Sequence, residues 1–182
     1  DMDFYFPSAD QANRMYLSQL AESGEVTYKD VTLTSGAADD RGARGCTMAD
    51  FDNDGFMDIY VNNGGPSNVL INDVINSLPI FVQFYIAWEP DYNALYRNNG
   101  DGTFTDVTES SGTEGLGIGS GVGAADINND GFADIYVANR TYYNLGKRVG
   151  GAFKNQLLLN KSNDNNWVRI ALVGTTANRD AY

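Results

Sequence analysis

Hydrophobic and polar positions alternate most clearly in two six-residue runs, DIYVNN from Asp58 and DIYVAN from Asp134. Their β-branched and aromatic residues, set at a period of two, predict strands rather than helices. Shorter runs of the same character predict further strands: MDFYF from Met2, ALYRN from Ala94, FTDVT from Phe104 and WVRIALVG from Trp167. The longest apolar run, LPIFVQFYIAW from Leu78 to Trp88, falls short of the roughly 20 residues a membrane-spanning helix needs. It reads as a buried or paired strand, so no membrane insertion is expected.

The pattern is written twice. ADFDNDGFMDIYVNN begins at Ala49 and ADINNDGFADIYVAN at Ala125, and the leading aspartates Asp50 and Asp126 stand 76 positions apart. The same offset brings YKDVTLTSG, from Tyr28, onto FTDVTESSG, from Phe104, without a gap. Self-similarity at a fixed offset means one supersecondary unit used twice. A smaller signature, Asn-x-(Leu or Met), opens candidate strands at Asn13, Asn68, Asn93 and Asn155. Between ALYRN and FTDVT lies NNGDGT, whose Asn, Gly and Asp residues supply the positive φ of a tight hairpin. The glycine-rich stretches RGARG from Arg41 and GIGSGVG from Gly117 lack the Lys-Ser/Thr pair of a phosphate loop. They read as a loop where two backbones cross closely.

Composition narrows the chemistry. The chain has 182 residues, a net charge of −12 and no histidine. With no basic stripe to neutralise phosphates, nucleic acid is excluded as a partner. Without histidine, His-based triads and the common zinc sites fall away. The single cysteine, Cys46, forms no disulfide within the chain and reads as a small buried hydrophobe. The start at Asp1, without methionine, suggests a mature or trimmed product, and the sequons at Asn139 and Asn160 mark possible glycosylation outside the cell.

The repeated acidic loops carry the strongest chemical signal. Asp50, Asp52 and Asp54 alternate, Gly55 permits a sharp turn and Asp58 closes the loop; the second copy offers Asp126, Asn128, Asp130, Gly131 and Asp134. Carboxylates this dense repel one another unless a hard cation lies between them, and calcium takes about six to eight oxygens. The backbone carbonyls of Phe56 and Phe132 stand where they would complete each shell, and magnesium, which demands octahedral geometry, fits less well. An EF-hand is excluded, because its twelfth position should be glutamate and here is Val61 or Val137. A strand also follows where that motif needs a helix.

These loops, each preceded by DVT-x-x-SG and a glycine-rich stretch, resemble FG-GAP/VCBS-type repeats, the calcium-binding blades of integrin-α-like β-propellers. NWVRIALVGTTANRDA, from Asn166 to Ala181, resembles the opening of the ASPIC/UnbV segment that follows such repeats. The resemblance implies two calcium ions, one on Asp50, Asp52, Asp54, Phe56 (carbonyl) and Asp58, the other on Asp126, Asn128, Asp130, Phe132 (carbonyl) and Asp134. With Asn128 in place of an aspartate, the first site is expected to bind more tightly. Asp54→Ala is expected to loosen the first repeat.

The expected fold is all-β, with antiparallel propeller-blade-like repeats too few to close a ring of about 4–8 blades. The parts are residues 1–12 as an N-terminal extension, 13–65 and 93–154 as the repeats, 66–92 as a strand-like insertion and 155–182 as a partial third unit. Open edges need cover, from spare strands of the same chain or from another copy, with MDFYF a candidate donor strand. Three function classes follow. The first is a calcium-stabilised extracellular or cell-surface protein, structural or adhesive, self-associating through sheet edges as a closed oligomer or a filament. The second is a carbohydrate- or protein-binding module using Trp88, Tyr92, Tyr142 and Tyr143. An enzyme fits worst, because the paired carboxylates belong to the loops and Asp30, Glu89, Asp91 and Asp106 show no catalytic pattern. Asp30 and Asp106, in register, read as residues that bond a loop backbone.

Overall fold

A computed structural model describes residues 3–9, 11–64, 90–140, 142–144, 147–149, 153–161, 163 and 165. Across these residues the chain is an array of antiparallel sheets interrupted by single helical turns. One sheet holds β1 (Phe4–Phe6), β2 (Arg14–Ser18) and β3 (Tyr28–Asp30). The central sheet has the order β4 (Ala43–Ala49), β5 (Asp58–Asn63), β7 (Ala94–Asn98), β8 (Phe104–Asp106). A third holds β10 (Gly119–Ala125), β11 (Asp134–Asn139) and β14 (Gln156–Leu158). Two small pairs complete the array: β6 (Asp91–Tyr92) with β9 (Leu116–Gly117), and β12 (Tyr142–Asn144) with β13 (Lys147–Val149).

The central sheet draws β4 and β5 from the first sequence repeat and β7 and β8 from the second, so it straddles the repeat boundary. Each acidic loop connects the first two strands of its sheet, joining Ala49 to Asp58 and Ala125 to Asp134 at the ends of matched ladders. The glycine-rich stretches are strands rather than the expected loops. Their small residues do allow close approach, since a Cβ built on Gly45 would lie 3.8 Å from Val122 Cγ1 and 4.0 Å from Gly121 Cα. NNGDGT is the β7–β8 hairpin, with Asn99 N–H donating to the Thr103 carbonyl at 2.9 Å.

The expected strand FTDVT stops at Asp106, where the carboxylate accepts the Thr108 N–H at 3.0 Å, as Asp30 does with Thr32. Each of these turns starts one helical turn, α2 (Thr32–Ser35) or α3 (Thr108–Ser111); α1 (Leu20–Ser23) follows β2. The side-chain competition that Asp offers the backbone ends the strand here. The Asn signature has an equally specific role. Asn13, Asn93 and Asn155 each accept, on the side-chain carbonyl, a backbone N–H from Ser8, Asn63 and Asn139 respectively, at 2.7–3.0 Å.

The described part of MDFYF, Phe4–Phe6, lies on its own chain. β1 pairs with β2 of its own chain, and Tyr5 is buried with its hydroxyl donating to the Ala37 carbonyl at 2.9 Å. The Ser18 N–H donates to Asp3 at 2.8 Å, the contact that Asn98 makes with Asp58 and Asn160 with Asp134. Asp3 to Phe6 is therefore a third version of the strand that leaves an acidic loop.

Two apolar clusters hold the sheets together. Tyr5, Met15, Ile59, Val61, Tyr96 and Phe104 pack between the first sheet and the central one. Phe51, Tyr60, Leu95, Ile135 and Val137 pack between the central sheet and the third. Cys46 is half-buried against the first cluster rather than fully enclosed. LPIFVQFYIAW, Asn68, Trp88, Glu89 and the Asn166–Ala181 segment lie outside the described residues. Among the described residues no helix is long and apolar enough to cross a membrane.

Candidate metal centre

The loop from Asp50 to Asp58 winds through two left-handed residues, Asn53 at φ 55° and Gly55 at φ 97°. Glycine takes that conformation freely and asparagine tolerates it. Winding turns backbone donors inward. Asp50 accepts the N–H groups of Asp54 at 3.0 Å and Gly55 at 2.9 Å, and Asp52 accepts that of Asp54 at 3.2 Å. Asp58 is buried at the head of β5 and accepts the Phe51 N–H at 3.0 Å on one oxygen and the Asn98 N–H at 2.8 Å on the other.

Ligand oxygens of Asp50, Asp52 and Asp58 lie within 4.8 Å of one another. Asp54 is exposed and stands outside that group, its carboxylate accepting the Phe56 N–H at 2.9 Å. Burial pushes the Asp58 carboxyl up to about 6, against the two backbone donors that lower it, with the charges of Asp52 and Asp54 adding to the rise. Asp52 is raised by burial and then by Asp54 and Asp50. Three crowded carboxylates with upward-shifted members, oriented by backbone donors, fit an oxygen-seeking divalent cation.

The second loop repeats the backbone bonding, but among the described residues only the first loop brings three carboxylates together. Asp126 accepts the N–H groups of Asp130 at 3.1 Å and Gly131 at 3.0 Å, Asp130 accepts that of Phe132 at 3.0 Å, and Asp134 accepts that of Ile127 at 2.9 Å. Asn129 and Gly131 take the left-handed positions, at φ 61° and 92°. Asn128 changes the site: its amide donates to Asp130 at 2.8 Å while its carbonyl accepts the Asp130 N–H at 2.9 Å. Phe132 is buried, whereas Phe56 leaves its ring half-exposed.

Sequence reasoning missed that the two loops touch. The Asn53 amide donates to the Gly131 carbonyl at 3.1 Å, joining them directly. The segment after β14 clamps the first loop, with Asn160 donating to the Phe51 carbonyl at 2.6 Å, and Asn163 and Asn165 both donating to the Asp52 carbonyl at 2.6 and 2.7 Å. A faint signal exists, since Asn160 ends the same five-residue strand signature as Asn98, which donates to the Met57 carbonyl at 3.0 Å.

The two sequon asparagines also bond within the chain. The Asn160 amide nitrogen, which a glycan would occupy, donates to both Phe51 and Ala133, and that of Asn139 donates to the Lys154 carbonyl at 2.9 Å. Each of these asparagine amides thus has a partner within the chain.

The Asn53 bridge gives a direct prediction. Asn53→Gly keeps the left-handed backbone but removes the amide, so it should cost about 1 kcal/mol, the net worth of a single hydrogen bond. Asn53→Ala should cost a further 1–2 kcal/mol or so in backbone strain. Calorimetric melting of the two variants checks both; equal losses would mean that the amide bridge, not the conformation, accounts for the whole effect.

Comparison with known proteins agrees with the repeated loops and blade-like sheets. Residues 76 in number align at 34% identity with cartilage acidic protein 1 of Xenopus tropicalis, covering 41% of this chain and 11% of that protein. The chain thus aligns with about a tenth of its relative's length. A family model described as FG-GAP-like repeat matches residues 1–61 and 82–137, which is more than half of the chain. Its first match begins ahead of β1, in keeping with Asp3–Phe6 as a repeat strand, and this chain belongs to the FG-GAP-like repeat family.

Proposed function

We propose that the chain is a calcium-stabilised extracellular or cell-surface module, structural or adhesive, that associates with itself. The observation that carries the calcium reading is the convergence of Asp50, Asp52 and Asp58 within 4.8 Å. At each loop the VCBS-type reading assigns the remaining oxygens to Asp54 and the Phe56 carbonyl, and in the second copy to Asp126, Asn128, Asp130, the Phe132 carbonyl and Asp134. The first site is the tighter one, because Asn128 removes a carboxylate at the place of Asp52.

Calcium acts in this reading as a folding ligand. Repulsion within each loop opposes the native turn until an ion arrives, and an ion that binds only the native state stabilises it by mass action. Each ion also cancels two of the excess negative charges that hold copies apart. The module is not an enzyme: the crowded carboxylates are spent on the loops, and a filled all-oxygen shell leaves little room to activate a substrate.

Membership of a repeat family and a relative named for cartilage support the extracellular placement. The ASPIC/UnbV assignment of Asn166–Ala181 stays a reading of the sequence. A second reading, a carbohydrate- or protein-binding module, draws support from a cleft of about 550 Å³ beside the first loop, lined by Phe51, Leu95, Arg97, Ile135, Leu158 and Lys161 among others. Tyr92, half-exposed in β6, adds an aromatic contact elsewhere.

Sedimentation velocity in millimolar calcium, repeated after chelation, tests the proposal. Assemblies that dissolve or unfold on chelation are expected. A compact monomer in calcium would remove the self-association and favour the ligand-binding module.

A further inference from the structure

The two acidic loops are joined through side-chain amides. Asn53 of the first loop donates to the Gly131 carbonyl of the second at 3.1 Å, across 78 positions of sequence. Asn160, beyond β14, divides its amide between the Phe51 carbonyl of the first loop at 2.6 Å and the Ala133 carbonyl of the second at 3.2 Å. Its backbone N–H donates to the Asp134 carboxylate at 2.8 Å.

These contacts fall beside the ligand positions. Asn53 stands between Asp52 and Asp54, with its backbone at φ 55°. An ion held by its two neighbours fixes the peptide planes on either side of Asn53, and with them the direction of its amide. At the other end, Gly131 and Ala133 flank Phe132, whose carbonyl is the backbone oxygen assigned to the second ion. Holding the carbonyls on both sides orients the Phe132 peptide, and an oriented group costs less conformational entropy to recruit.

The loops are unequally prepared. Asp50, Asp52 and Asp58 of the first loop converge within 4.8 Å, and among the described residues the second loop forms no such group. There the Asn128 amide donates to Asp130 at 2.8 Å and occupies a carboxylate oxygen. The second loop is thus the one whose affinity depends more on outside support, and Asn53 supplies that support from the first.

We propose that the two loops bind calcium cooperatively, the first ion raising the affinity of the second loop at least fivefold through the contact of Asn53 with Gly131. The inference rests on the calcium reading and adds the coupling between its two sites. Fivefold is about the lower end of the range for coupled sites. Ordering of groups that two sites share produces positive coupling without a change of fold. Long-range charge acts in the opposite sense, because a filled first loop is less negative and attracts the second cation less. The sign of the coupling therefore separates the amide contact from the field.

Titration calorimetry of the chelator-stripped chain with calcium tests this in the parent and three variants. Asn53→Gly keeps the left-handed backbone and removes the amide. Asp50→Ala disables the first loop and changes no residue of the second. Each should weaken the second loop's calcium affinity at least fivefold. The double variant should be no weaker than either alone, because both changes remove the same coupling. Asn53→Gly should leave the first loop's affinity close to that of the parent. A merely structural role for Asn53 would lower the melting temperature without this dependence on the first loop.

A second-loop affinity that is equal in the parent and Asp50→Ala, or tighter in the variant, would overturn the coupling and leave both calcium sites standing. Loss in Asn53→Gly alone would mean that the amide shapes the second loop with the first loop full or empty, and would overturn it too. No calcium uptake by the parent would overturn the calcium reading together with the coupling. Should Asp50→Ala fail to fold by circular dichroism, Asp52→Ala takes its place, since the Asp54 N–H that Asp52 accepts keeps Asp50 as its other acceptor.

Discussion

Asp58→Ala is expected to lower stability by about 2–5 kcal/mol and to remove one calcium site. The estimate follows from the two N–H groups the carboxylate satisfies, Phe51 in the loop and Asn98 in β7. A buried donor left without a partner costs about 1–3 kcal/mol. The same side chain therefore ties the loop, β5 and β7 together, and it supplies a ligand oxygen to the Asp50 and Asp52 group. A melting temperature reduced by roughly 2–4 °C for each kcal/mol is the thermal signature for a chain of this size.

Asp54→Ala provides the contrast. Its carboxylate is exposed and, among the described residues, accepts only the Phe56 N–H, a group that water can satisfy. The loss should stay near 1 kcal/mol in the absence of calcium, well below that of Asp58→Ala. The sequence reading expects Asp54→Ala to loosen the first repeat; with two backbone donors on Asp58 against one on Asp54, the larger effect without calcium is expected at Asp58. Equal losses for the two variants under chelation would contradict this division of roles.

The second large effect is expected from the ion itself. Free calcium at 100 times the dissociation constant stabilises the native chain by about 2.7 kcal/mol for each site, so two sites give roughly 5 kcal/mol. At about 2–4 °C per kcal/mol, chelation should lower the melting temperature by roughly 10–20 °C. Magnesium at the same concentration should restore little of the loss, because it keeps its own waters and demands a tighter octahedron. Scanning calorimetry with calcium, with chelator and with magnesium checks the claim; superimposable melts in all three would sink it.

The acidic loops were legible in the sequence because everything that shapes them is local. Asp50 bonds to residues four and five positions on, and Asn53 and Gly55 provide the left-handed turns within the same nine residues. Loop-backbone bonding by Asp30 and Asp106 was legible for the same reason. The dominance of Asp58 was not, since its second partner, Asn98, lies 40 residues away. Nor was the engagement of the Asn160 sequon by Phe51, across 109 positions.

The strand pattern was readable but its pairing was not. Val107 and Thr108 carry strand-forming side chains, yet Asp106 captures the next backbone N–H and bends the chain into α3. The central sheet takes two strands from each repeat, a choice made by long-range packing of Ile59, Tyr60 and Val61 on both faces rather than by the repeat period. MDFYF carried the clue to its own role in its likeness to MDIYV, which ends the first acidic loop. Only the shared contact of Asp3 and Asp58 with the strand two removed from each loop made the equivalence plain.

The central claim is that each acidic loop holds one calcium ion, and titration calorimetry of the chelator-stripped chain measures it most directly. The account predicts two ions per chain, the tighter one lost in Asp58→Ala and the weaker one lost in Asp134→Ala. No calcium uptake, or uptake unchanged in both variants, would contradict it.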